Sequence, residues 1–221
     1  MMNRTDLRSV RGDDGFTLVE LLVAIVIMGV ISVPLTNVVI SYLHNSDATM
    51  ARLLESHDVQ ISSAYWAQDV ASIGTRSTTS LYPLTQSVET DVAYSASKYP
   101  CGPAGTTPIV TLAWDDFTGP GTSTLVRVAY VRKAAPGQTA LTELHRLRCD
   151  GTAPGFSDVT LAHDLNPSPP LTPATVVCST TCMGTHDMPV PTTITLNLSL
   201  KDPKDPGEAY SIPLIGQRRQ S

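Results

Sequence analysis

The strongest constraint on this chain is an unbroken stretch with no Asp, Glu, Lys or Arg, running from residue 21 to residue 46. About 20 apolar residues are enough to cross a bilayer as a helix, so the run is long enough to span one. Residues 1–15 before it are polar, with Arg4, Arg8 and Arg11 set against Asp6, Asp13 and Asp14. No small-residue cleavage site of the secretory kind follows the apolar stretch, so an ordinary removable signal peptide is not the reading. Arginines before the span and no cation shortly after it place the N-terminus in the cytoplasm and the rest of the chain outside it. Glu20 does not fit a plain anchor. A carboxylate inside a membrane segment costs about 2.5–3.5 kcal/mol on insertion scales, and such a residue needs a partner and a function.

The sequence Gly15-Phe16-Thr17-Leu18-Val19-Glu20-Leu21-Leu22 resembles the N-terminal signal of type IV prepilins and pseudopilins. The resemblance implies cleavage after Gly15 by a prepilin peptidase and methylation of the new amino terminus at Phe16. It also implies assembly into a filament through the N-terminal helix. Glu20 would then pair with the Phe16 amine of a neighbouring subunit. Either charge alone is costly in a low-dielectric core, so the pair acts as a register device that admits one axial offset. The implied partners are other pilin or pseudopilin subunits, the peptidase, an inner-membrane assembly platform, and membrane lipid before assembly. The mature subunit would lie in a cell-surface or periplasmic filament.

Past the membrane the pattern stays helical. Met50, Leu53, Leu54, Ile61, Tyr65 and Val70 recur at spacings near three and four and predict an amphipathic stripe. Arg52, Glu55, Asp58, Gln60 and Asp69 are assigned to the remaining surface. The helix is expected over residues 16–73, with Gly74 as its stop. Pro34 interrupts it by removing one backbone hydrogen bond and crowding the carbonyl of Val30, which predicts a kink. In the resembled family a proline somewhat further from the cleavage site marks a kinked or melted stretch.

The remainder reads as a β-rich head. The expected strands cover residues 108–114, 123–132, 141–148, 192–200 and 209–214, with the second and third forming a hairpin across Ala135-Pro136-Gly137-Gln138. Residues 74–108 read as an ordered connection carrying short elements. The fold class is therefore α+β: one long helix against an antiparallel sheet. The domain reading is a leader (1–15), a transmembrane and filament-core helix (16–43), an amphipathic half-helix (44–73) and a head (74–221). The segments 125–130 and 144–148 resemble the V-x-Y…L-x-R hairpin of minor pilins and minor pseudopilins of the W/J type.

Cys101, Cys149, Cys178 and Cys182 all lie in the exported part, where an even count points to disulfides. Three pairings are possible. Cys178–Cys182 as a local loop with Cys101–Cys149 as a long staple is the favoured one. Metal and cofactor readings are weaker. Cys178, Cys182 and His186 have ligand-like spacing, but exported thiols favour a disulfide. Asp202-Pro-Lys-Asp205-Pro-Gly-Glu208 lacks the order of a calcium loop. His44 and His57 read as surface residues, and Arg218-Arg219 as a solvated tail. The net charge of −5, with no basic cluster in the head, leaves no footprint for nucleic acid. No nucleophile-elbow, zinc-protease, P-loop or dinucleotide motif occurs. The function read from the sequence is a minor structural subunit of a type IV pilus-like filament and not an enzyme. The alternatives are a type II secretion pseudopilin, or a membrane-anchored ectodomain that binds or catalyses.

Overall fold

The protein is described from a computed structural model. The residues described are 15–76, 83–119, 121–137, 142–151, 155–165, 174–183, 189–201 and 209–219. The chain divides into two units, Met1–Thr49 and Met50–Ser221. Helix α1 spans Leu18–Ser72.

In the first unit every described side chain is exposed. The segment Leu18–Ser46 has a mean hydropathy of 2.6 and the length to cross a membrane. Two of its hydroxyls bond within the helix. Ser32 Oγ donates to the Met28 carbonyl at 2.7 Å and Thr36 Oγ1 to the Ser32 carbonyl at 2.8 Å. Such back-bonding keeps these two polar hydrogens from facing hydrocarbon. The helical assignment continues through Pro34, which lies between those two bonds.

In the second unit the helix packs on an antiparallel sheet. In chain order the strands are β1 (Thr75–Arg76), β2 (Leu84–Thr85), β3 (Val88–Thr90), β4 (Val110–Gly119), β5 (Thr122–Ala134), β6 (Thr142–Asp150), β7 (Ser157–Leu165), β8 (Ala174–Cys178), β9 (Thr193–Lys201) and β10 (Ala209–Gln217). The large sheet runs β10-β9-β7-β6-β5-β4-β3, with β8 also on β9, while β1 and β2 pair apart from it. The class is α+β. Strands β7 and β8 were not expected from the sequence. In β7 the period of two fails because Leu161 and Ala162 are both buried, where the pairing with β6 shifts register. A bulge of this kind puts two consecutive residues where alternation allows one.

The buried line of the helix differs from the expected stripe. Met50, Leu53 and Leu54 are exposed, and Ile61 and Tyr65 are half-buried. The fully packed line is Asp58, Ser62, Trp66, Asp69, Val70 and Ile73. The placement of Asp58 and Asp69 on the solvent face is therefore corrected, and the physical reason is that each finds donors on the sheet. Asp58 Oδ2 accepts the His163 backbone N–H at 2.9 Å, and Ser62 Oγ donates to the Leu161 carbonyl at 3.1 Å. Trp66 Nε1 donates to the Ile194 carbonyl at 3.2 Å, and its ring meets Tyr130 edge-on at 5.0 Å.

Asp69 is the centre of this face. Arg146 Nε donates to its Oδ2 and Arg146 Nη2 to its Oδ1, both at 2.7 Å, and the Tyr130 hydroxyl donates to Oδ2 at 2.6 Å. Tyr130 and Arg146 sit opposite each other in the β5–β6 ladder. The Arg146 guanidinium also lies 4.9 Å from the Tyr65 ring centre. Burial, reinforced by the Asp69 charge, pushes the Tyr130 hydroxyl well above its ordinary pKa. Burial works against the Arg146 charge, but the bonds and charge of Asp69 outweigh it and its pKa rises. At the end of the helix Gly216 of β10 lies against Val70, where a Cβ would come within 2.5 Å of the Val70 Cβ. Only glycine permits that approach.

The other face of the sheet carries a second cluster of Cys101, Ala129, Val131, Leu147 and Cys149. Cys101 and Cys149 are bonded across a separation of 48 residues, and Cys178 and Cys182 across 4. In the loop-entropy account the first closure is worth about 4 kcal/mol and the second about 2 kcal/mol. Arg127 adds a polar brace, donating from Nη1 to the Pro100 carbonyl at 3.0 Å and from Nη2 to that of Gly151.

Asp69→Asn removes the charge that holds Arg146 and leaves the guanidinium buried without its counter-ion. Breaking one partner of such a pair costs about 3–5 kcal/mol. The expected result is a matching fall in urea-unfolding free energy of the disulfide-intact protein, and a loss under 1 kcal/mol would refute the assigned role.

Candidate processing and assembly site

Residues 15–17 are exposed and lie outside the helix. Helix α1 therefore starts at Leu18 and not at Phe16, and it ends at Ser72 beside the expected limit. The later start has a physical cause. Thr17 and Glu20 bond reciprocally. Thr17 N–H and Oγ1 both donate to Glu20 Oε2 at 3.0 Å, and Glu20 N–H donates to Thr17 Oγ1 at 3.3 Å. The Thr17 carbonyl accepts Leu21 N–H at 3.2 Å, the first bond of the helix. This is a capping box with Thr17 as N-cap and Glu20 three residues later. The arrangement satisfies two donors that would otherwise be orphaned at an apolar helix end. Thr17 was not singled out from the sequence, although T-x-x-E before an apolar run is a readable signal for it.

Phe16 is 83% exposed, and the Gly15–Phe16 peptide bond lies one residue outside the cap. Glu20 is the acidic residue in the first turn of the helix and is exposed along with the rest of the segment. A carboxylate here can cap its own helix, and it can accept a cation from another chain.

Among the described residues of the head, the titratable side chains form scattered pairs and small groups. His145 Nδ1 is 2.7 Å from Asp158 Oδ1 and its Nε2 is 3.1 Å from Glu143 Oε2. Lys133 donates to the other oxygen of Asp158. His163 Nδ1 is 2.9 Å from Asp58 Oδ2, and the exposed His57 approaches the same carboxylate at 3.9 Å. Among the described residues no group of three or more His, Cys, Asp or Glu is arranged to hold a metal ion. The half-buried Cys178 and Cys182 are joined to each other, while His186 and the Asp202–Glu208 loop lie outside the described residues. The Arg218-Arg219 tail, with Arg219 exposed and Arg218 half-buried, is anchored through its backbone. Its backbone N–H groups donate to the Thr192 carbonyl at 2.8 Å and the Ala71 carbonyl at 3.0 Å, so it continues β10 and caps the helix end.

Residues 11–36 match the family model described as the prokaryotic N-terminal methylation motif. No curated protein and no solved structure matches the chain. The match coincides with the span that begins at Leu18 and with the capping box. The chain thus carries a processing signal of the type IV pilin and pseudopilin kind, together with an apolar N-terminal helix that fits a single-pass membrane anchor. A signal of this kind points to a structural subunit that assembles with others, and not to an enzyme.

Asp158 supplies a pH test of the head. Burial raises its pKa, but the hydrogen bonds from Lys133 and His145 outweigh burial and the pKa ends below 3.8. A carboxylate with a depressed folded-state pKa stabilises the fold above its ordinary pKa, and that contribution is lost as pH falls through the folded value. Asp158→Asn should therefore lower stability at pH 6, with the difference from wild type shrinking below pH 3.8. Urea titrations at a series of pH values check this, and a difference that grows toward acid would contradict it.

Proposed function

We propose that this protein is a minor structural subunit of a type IV pilus-like filament. On this reading it is cut after Gly15 by a prepilin peptidase, methylated at Phe16 and inserted into the filament through helix α1. The observation that carries the reading is the methylation motif over residues 11–36, with Glu20 as the acid inside a span otherwise free of charge. Before assembly the helix is held in lipid, with the leader on the cytoplasmic side and the disulfide-bonded head outside. During assembly Glu20 accepts the Phe16 amine of a neighbouring subunit. Methylation leaves that amine cationic, so it does not abolish the pair.

The β5–β6 hairpin supports the minor-subunit reading of the W/J type. Its Tyr130 and Arg146 occupy the third positions of Val128-x-Tyr130 and Leu144-x-Arg146 and converge on Asp69. The assembly partners are other pilin or pseudopilin subunits and an inner-membrane platform.

The mature protein from cells possessing the peptidase should begin at a free or methylated Phe16 by intact mass and N-terminal analysis. Retention of Met1–Gly15 would sink the assignment. Glu20→Ala should leave membrane insertion intact while reducing recovery of the subunit in sheared filaments by at least ten-fold. Recovery at the wild-type level would remove the pairing argument.

A further inference from the structure

We propose that Thr17 is a positioning residue for the cut. Its side chain stops helix α1 one residue short of Phe16 and so keeps the Gly15–Phe16 bond outside the helix and exposed, where a peptidase can reach it. The proposal rests on the cleavage assignment made above and adds to it the device that presents the bond.

The argument follows from which groups hold which hydrogens. To continue the helix backwards over the scissile bond, Val19 N–H must donate to the Gly15 carbonyl and Glu20 N–H to the Phe16 carbonyl. The structure diverts the second of these donors, because Glu20 N–H goes to Thr17 Oγ1 at 3.3 Å. Thr17 N–H, which a longer helix would turn along its axis, is instead taken by Glu20 Oε2 at 3.0 Å. One of the two donors that would carry the helix back over the scissile bond, and the Thr17 N–H itself, are engaged by the box. In an apolar setting the pressure to extend a helix is strong, because each unpaired backbone group is costly there. Valine at 17 offers no acceptor to Glu20 N–H, and one more turn of helix becomes the available way to satisfy it. That turn would bury the Gly15 carbonyl in a hydrogen bond and hold the scissile peptide in a closed geometry.

The test is a pulse–chase of the full-length precursor in cells possessing the prepilin peptidase, with wild type compared against Thr17→Val, Thr17→Ser and Thr17→Asn. Valine keeps the shape of threonine but cannot cap, whereas serine and asparagine cap well. The expected result is cleavage slowed roughly five-fold in Thr17→Val, with serine and asparagine within about two-fold of wild type. Hydrogen exchange of the precursor in micelles should show a matching change in protection of the Glu20 amide in Thr17→Val alone. Wild-type kinetics for Thr17→Val would overturn the proposal. So would asparagine being as slow as valine, because the peptidase would then be reading the threonine itself and not the cap. A wild-type chain left uncut, or cut elsewhere, would instead overturn the assignment of the Gly15–Phe16 bond, which separates the two failures.

Discussion

One buried carboxylate organises the head. Asp69 is turned into the sheet, where Arg146 grips it with two nitrogens and Tyr130 adds its hydroxyl. A charge at that depth is tolerated only with its counter-charge and hydrogen bonds in place, so the pair admits one rotation and one axial position of this part of the helix over β5 and β6. The apolar contacts then follow from that placement. Trp66 reaches Tyr130 and the Ile194 carbonyl, and Val70 comes down onto Gly216. Hydrophobic burial supplies most of the stabilisation, but it is non-directional, and the carboxylate gives it a single solution.

The chain has a second carboxylate in an apolar context, and the contrast between the two is informative. Asp69 has its guanidinium and phenol inside the same subunit. Among the described residues Glu20 is bonded to Thr17, a neutral partner three residues away. A neutral cap satisfies hydrogen bonds but leaves the charge uncompensated. Within this subunit the first unit supplies no cation after the span begins, since residues 21–46 hold none. On the proposed reading, the amine that processing would release at Phe16 of a neighbouring subunit supplies the compensating charge.

Legibility in the sequence tracked how local each signal was. The span, the acid within it and the five expected strands could be read because each depends on a few neighbouring residues. In β9, Ile194, Leu196 and Leu198 are buried and their neighbours Thr195 and Asn197 only partly so, as strict alternation requires. The buried helix face was misread because periodicity counts apolar residues, whereas Asp58, Ser62 and Asp69 are buried by virtue of partners about a hundred residues away or more than sixty. Those partners cannot be found by spacing. Strand β7 was missed for a related reason, since its bulges break the period that identifies a strand. The anchoring of the tail at Arg218-Arg219 was not legible, because it uses backbone groups that carry no residue signature.

Thr17 shows how one short motif can serve two demands without conflict. Both hydrogen bonds that Glu20 accepts from Thr17 fall on Oε2. A carboxylate carries two oxygens with about four lone-pair sites, so Oε1 keeps its capacity to accept an ammonium group. The cap also removes rotamer freedom from Glu20 before any partner arrives, and ordering a side chain in advance lowers the entropy lost when a charge pair forms. A shorter acid at this position would be a poorer compromise, because aspartate loses one methylene of reach toward the Thr17 N–H. A glutamine would keep the cap but surrender the charge. Glutamate meets both requirements at this spacing. On the proposed assembly, the same pattern that closes the helix start leaves the acid oriented, with Oε1 outside the cap, for a second subunit to use.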